Sequence, residues 1–142
     1  MAPGAPTDRW LSPRGREAAR ILGRLLREAR VEPDAIVSSP LPRAVQTAEL
    51  LAQSLDYLTH IESWRCLEPS AQPRVAAGQL QRLGTSIVVV GHEPSISALG
   101  AFLLGRPSFP PFRTAQCCAI EDAKPTISFR SDLDQALPYF VE

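Results

Sequence analysis

Two short stretches of the chain bring together residue types that can hold an anion. Ser38-Ser39-Pro40-Leu41-Pro42-Arg43 comes after the apolar run Ala35-Ile36-Val37, and Gly91-His92-Glu93-Pro94 comes after Ile87-Val88-Val89-Val90. Arg43 is a permanent cation whose planar fork matches a pair of phosphate oxygens. His92 can carry a charge or donate a hydrogen bond near neutral pH. Ser38 adds a hydroxyl, and Gly91 permits close backbone approach or a positive φ. Each stretch leads into an amphipathic segment, so each reads as a strand exit feeding a helix N-terminus. Free N–H groups and a partial positive charge at such termini favour an anion. The pocket expected is one for phosphate, clamped by Arg43 and His92, with Ser38 and the Gly91 backbone as further lining. Plainer readings stand beside it. An arginine in a first helical turn is commonly a surface residue, Pro94 suits a helix start, and His60 beside apolar Ile61 reads as structural.

The elements that must position these residues can be read from spacing. Ser12 is a preferred N-cap and Pro13 fits the first helical position. Ala18, Ile21, Leu22, Leu25 and Ala29 then draw one apolar stripe, leaving Arg20, Arg24 and Arg27 on a solvated face. Pro33 is expected to close this segment. Residues 35–37 read as a buried strand, and Val45, Ala48, Leu51, Ala52 and Leu55 mark a second helix. A brief strand is expected near Thr59–Glu62, and a third helix from Gln72 to Leu83 with Gly84 placed to end it. Ile87–Val90 is apolar on both faces, as central parallel strands are. A fourth helix carries Ile96, Leu99, Phe102 and Leu103. Thr114–Ile120 and Thr126–Phe129, separated by Asp122-Ala123-Lys124-Pro125, suggest a terminal hairpin. The whole reads as one α/β domain over residues 1–142: three layers, a mostly parallel sheet flanked by helices, and a C-terminal hairpin.

Composition narrows the classes of function. The chain has 142 residues, 44% hydrophobic and 21% charged, with formal net charge zero. Zero net charge gives no electrostatic reason to expect nucleic acid, and no apolar run is long enough for a membrane span. The first residues lack the order of a secretory signal. Lys124 is the single lysine, so arginine supplies nearly all of the positive charge. Cys66, Cys117 and Cys118 form no Cys-x-x-Cys pair and are expected as reduced, mostly buried thiols of a cytoplasmic protein. The two histidines, His60 and His92, are too few for a histidine-rich metal site without several carboxylates, and no cofactor is expected. Phosphate-loop, dinucleotide, nucleophile-elbow and cysteine-phosphatase motifs are all missing.

Val37-Ser38-Ser39-Pro40-Leu41-Pro42-Arg43-Ala44-Val45-Gln46-Thr47-Ala48 resembles the second signature of the histidine phosphatase superfamily, and Val88-Val89-Val90-Gly91-His92-Glu93-Pro94 resembles its later histidine motif. The short spacing, and Leu11-Ser12-Pro13-Arg14-Gly15 opening the first helix, are similar to the SixA-type phosphohistidine phosphatases. The resemblance implies a phosphoglycerate mutase-like fold and a metal-free, monomeric phosphatase acting on phosphohistidine in a phosphotransfer protein. Arg43 and His92 would match the residues holding the phosphoryl oxygens. Larger relatives protonate an alkoxide leaving group with a carboxylic acid; Glu68 is the nearest candidate for that role here. The family's nucleophile lies on an apolar strand ending in Arg-His-Gly, and this chain shows neither. An N-terminally incomplete record is the expectation. A phosphate- or phosphoprotein-binding homologue without catalysis, a small-molecule phosphomonoesterase of the same superfamily, and an enzyme with different chemistry stand as alternatives.

Overall fold

The computed structural model describes residues 9–139. Helix α1 (Pro13–Glu28) begins where the sequence places it, with the Ser12 hydroxyl accepting from Gly15 N–H at 3.0 Å. Its end differs from expectation. The helix stops at Glu28, well before Pro33, because Arg30 turns into the left-handed region at φ 61. Arg30 N–H bonds Arg27 O, and Val31 N–H bonds Leu26 O, which satisfies carbonyls of the last turn.

Strand β1 (Ala35–Ser38) is buried at every position. It carries α2 (Pro42–Ser54), after which come the two-residue strand β2 (Glu62–Ser63) and a short 3-10 turn at Arg65–Leu67. Helix α3 (Pro73–Leu80) ends earlier than the expected Leu83, and turns fill the gap to Gly84. Strand β3 (Ile87–Val90) feeds α4 (Ser95–Leu104), which Gly105 terminates at φ 66. β1 lies between β2 and β3 with all three parallel, Val37 opposite both Glu62 and Val89.

Alternation along β1 divides the core. Ile36 joins Val88 with Leu22, Leu25 and Leu26 of α1 and Ala48 and Leu51 of α2. Val37 faces the other way, to Leu67, Ala76, Ala77, Leu80 and Leu99. The expected helix–sheet–helix layering is therefore present, with α1 and α2 on one side and α3 and α4 on the other. Gly23 lets α1 and α2 approach closely, since a Cβ there would collide with the Ser54 side chain.

The C-terminal region is larger than a hairpin. β4 (Gln116–Glu121) and β5 (Lys124–Arg130) pair around Asp122-Ala123, both at positive φ as a tight hairpin turn requires, and β6 (Gln135–Pro138) adds a third antiparallel strand. Phe129 of β5 packs into the α1/α2 core, worth about 1.5–3 kcal/mol for one such fully buried side chain. β3 departs from its reading as a central strand. Among the described residues it is the last strand of the order β2-β1-β3, and of its four residues only Val88 is buried. Its second edge opens on a cavity.

Candidate functional site

The exits of β1 and β3 lie side by side, since Ser38 pairs with Val90 and Ser39 N–H continues the ladder to Val90 O at 2.9 Å. Both strands lead into helix starts without a side-chain cap. Leu41 before α2 and Pro94 before α4 supply no capping hydrogen bond. Leu41 N–H is taken by Ser39 Oγ at 3.2 Å, while Leu11 N–H bonds Gln46 Oε1 and so holds the lead-in of α1 against α2.

The residue that joins the two exits is Ser39. His92 Nε2 lies 2.8 Å from Ser39 Oγ, in a half-buried contact spanning 53 positions of sequence. With one lone pair occupied by Leu41 N–H, the hydroxyl can still donate to Nε2 of a neutral imidazole or accept from the N–H of an imidazolium. The contact therefore survives a change in His92 charge. Burial, then the positive charge of Arg43, lowers the His92 pKa below its ordinary 6.5, and the Glu68 carboxylate opposes them. These influences place Arg43, His92 and Glu68 within one electrostatic neighbourhood. Arg43 is exposed in the first turn of α2 and, with His92 and Gly91, lines one end of a cavity of about 1620 Å³ that runs the length of β3.

Ser38, expected in the pocket, is fully buried with its hydroxyl donating to Ser39 O at 2.7 Å. The side chain at the site is that of Ser39 instead. The alternation that sends Val37 toward α4 sends Ser39 the same way, and this was the signal that could have found it. Gly91 has no positive φ among the described backbone. Its requirement is space, as a Cβ there would meet Ile96 Cδ1 at 3.3 Å and Leu67 O at 3.5 Å. Glu93 braces the loop: Ser97 donates to Oε1 and Phe112 N–H to Oε2, each at 2.6 Å. His60 is exposed, and its carbonyl accepts from Tyr57 OH at 3.2 Å. The three cysteines are free and half-buried, less enclosed than expected; burial pushes Cys117 up to about 12 and Cys118 to about 11. Among the described residues, no three of His, Cys, Asp and Glu converge as a metal set would, and no helix is long and apolar enough to cross a membrane.

The arrangement can bind an oxyanion. One fork-shaped cation, one imidazole poised by a hydroxyl and two uncapped helix starts converge on one end of the sheet. Known proteins resemble this chain in sequence and in fold. The model of the histidine phosphatase superfamily (branch 1) matches residues 3–69. A 2,3-bisphosphoglycerate-dependent phosphoglycerate mutase of Thermobifida fusca (strain YX) is 43% identical over 60 residues, or 41% of this chain. The match spans 24% of that relative's length. The protein histidine phosphatase SixA, solved with tungstate, superposes with a TM-score of 0.84 at 22% identity, covering 95% of this chain and 92% of that one. A candidate phosphohistidine phosphatase SixA from Agrobacterium tumefaciens gives 0.63 at 25% identity over 78% of each chain. These likenesses bear out the phosphoglycerate mutase-like fold.

Proposed function

We propose, because residues 3–69 match the model of the histidine phosphatase superfamily, that the Arg43–His92 pocket holds the phosphoryl group of a phosphohistidine carried by a phosphotransfer protein. The observation that carries this reading is the 2.8 Å contact between His92 Nε2 and Ser39 Oγ under the charge of Arg43. Phosphoryl transfer spreads negative charge over the oxygens of the moving group, and fixed donors aimed at those oxygens lower the barrier without reorganising. Arg43 supplies two parallel N–H donors. His92, neutral at neutral pH when the pocket is empty, gains a reason to hold a proton once a dianion arrives. Ser39 keeps the ring oriented in either state. Likeness to two SixA structures favours phosphohistidine as the substrate class.

These residues bind and orient. Neither histidine is placed to attack phosphorus: His60 is exposed beyond α2, and His92 is engaged as a clamp. Turnover by the superfamily route calls on the histidine of its Arg-His-Gly motif, a sequence absent from these 142 residues. A second reading, hydrolysis of a small phosphomonoester, is favoured by one observation, the influence of the Glu68 carboxylate on His92.

The test is competition. Sulfate is expected to shift the His92 ring resonances, and a phosphohistidine peptide to displace it at lower concentration than a phosphoserine peptide of the same sequence. Equal displacement by both peptides counts against phosphohistidine. Release of phosphate from p-nitrophenyl phosphate that disappears in Glu68→Gln establishes the second reading in its place.

A further inference from the structure

Arg16, Arg20, Arg24 and Arg27 recur at spacings of four, four and three, so they form one ridge along the exposed side of α1. The two halves of this ridge differ. Arg24 pairs with Glu28 at 3.0 Å and with Asp134, and Arg27 reaches Asp56 at 4.0 Å. Among the described residues, Arg16 and Arg20 form no ion pair. They border a groove of about 690 Å³ whose lining includes Gln46 and Glu49 of α2 and Tyr57 and His60 of the loop beyond it. Glu49 is the one carboxylate among the described lining residues, so the two permanent cations are only half balanced.

Both walls are fixed before anything binds. Leu11 N–H bonds Gln46 Oε1 at 2.6 Å, which holds the lead-in of α1 against α2. The Tyr57 hydroxyl accepts from Ile36 N–H at 3.3 Å and donates to His60 O at 3.2 Å, which ties the loop to β1. The groove also adjoins the anion site. Gln46 stands three positions beyond Arg43 on the same side of α2, and Leu11, which it holds, lines the site cavity together with Arg43.

We propose that this groove docks the protein that carries the phosphohistidine, through an acidic surface of that partner with two carboxylates one helical turn apart. Arg16 and Arg20 are four residues apart, roughly 6 Å along the axis at ~1.5 Å per residue. Two Asp or Glu side chains at the same spacing on a partner helix meet both. The chain has formal net charge zero, so the attraction is local, and a partner is selected by where its acids stand. Held there, it presents its phosphoryl group at the adjoining Arg43–His92 pocket. The identity of the partner rests on the function proposed above; the acidic preference of the groove stands without it.

Peptides read the two apart. An alanine-rich helical peptide with two glutamates four residues apart, and its glutamine version, are each joined through a Gly-Ser linker to phosphohistidine or to phosphoserine and titrated into the full chain. At about 20 mM salt the glutamate peptides are expected to bind about fivefold tighter than the glutamine ones, and the difference should fade at about 0.5 M. Amide resonances should shift at Arg16–Arg20 and Thr59–Ile61. Arg16→Glu with Arg20→Glu, both on exposed residues, should invert the preference, a result that loss of folding cannot produce. Arg27→Gln, in the half of the ridge that is already paired, should leave the preference unchanged. The proposal falls if glutamate and glutamine peptides bind alike, if the double reversal keeps the original order, or if Arg27→Gln removes the preference as well. It falls equally if a short single-stranded DNA binds this groove more tightly than the glutamate peptide. The phosphohistidine-to-phosphoserine ratio, followed at the His92 ring on the same samples, reports the substrate class separately.

Discussion

At the amino end of the parallel sheet, one Asp34 carboxylate oxygen accepts from Thr85 N–H, Thr85 Oγ1 and Ser86 N–H at 3.0 to 3.1 Å, and these bonds hold its pKa below the ordinary 3.8. At the carboxyl end of the same strands, two helix starts lack side-chain caps and His92 meets the Ser39 hydroxyl. One end uses its polar groups on itself. At the other, the first helical N–H groups have no side-chain acceptor and are left to water or to a ligand. On the function proposed above, the contrast separates groups that hold the sheet from groups that receive an anion, within one pair of strands.

The sharpest way to break the contrast is Arg43→Ala. Loss of a charge-assisted bond worth about 1.5–3 kcal/mol should weaken sulfate binding roughly 10- to 100-fold by calorimetry, with little change in Tm because the residue is exposed. His92→Asn comes next. In the native protein, sulfate favours the imidazolium, so affinity should rise as pH falls from about 7.5 through the depressed His92 pKa. Stability of the empty protein moves oppositely: the unfolded chain takes up this proton first, near 6.5, so the contribution is full above 6.5 and is lost as pH falls through the folded value. Asn should flatten both profiles, measured by titration calorimetry and by thermal melts.

The smallest effect on binding belongs to the opposite end. Asp34→Asn should leave sulfate affinity unchanged while lowering Tm at neutral pH. The contribution of the depressed carboxyl is present above about 3.8 and is lost as pH falls through its folded pKa, so the Tm difference between native and variant should vanish in acid. If Asp34→Asn weakens sulfate binding as much as Arg43→Ala does, the division of labour between the two ends is wrong.

Much of this architecture was legible because its signals are local. Ser12-Pro13 marks the start of α1, the apolar runs mark β1 and β3, and Arg43 and His92 stand at strand exits that chain order alone reveals. The hidden parts depend on non-local pairing or on backbone turns made by unexpected residues. β6, Gln-Ala-Leu-Pro, has little β-branching and is a strand only because β5 offers an edge. Arg30 and Asp56 adopt the left-handed conformation usually left to glycine, so neither helix end announced itself. Ser38 and Ser39 are identical in type and adjacent, and only the direction of the pleat decides which one meets His92.

Glu93 stands next to His92 and points its carboxylate elsewhere, one oxygen to Ser97 in α4 and the other to Phe112 N–H ahead of β4. Phe109, stacked on Phe112 at 5.6 Å and on Tyr139 at 5.7 Å, fastens the same crossing. The stretch Arg106–Ser108 therefore hangs between two fixed points, the end of α4 and the Phe109–Phe112 anchor. Closing a longer loop costs only about 0.6 kcal/mol for each doubling. Insertions at Arg106–Ser108 are thus cheap and leave the imidazole where it is, which makes this crossing the place where the chain can be lengthened, tagged or diversified without touching its chemistry.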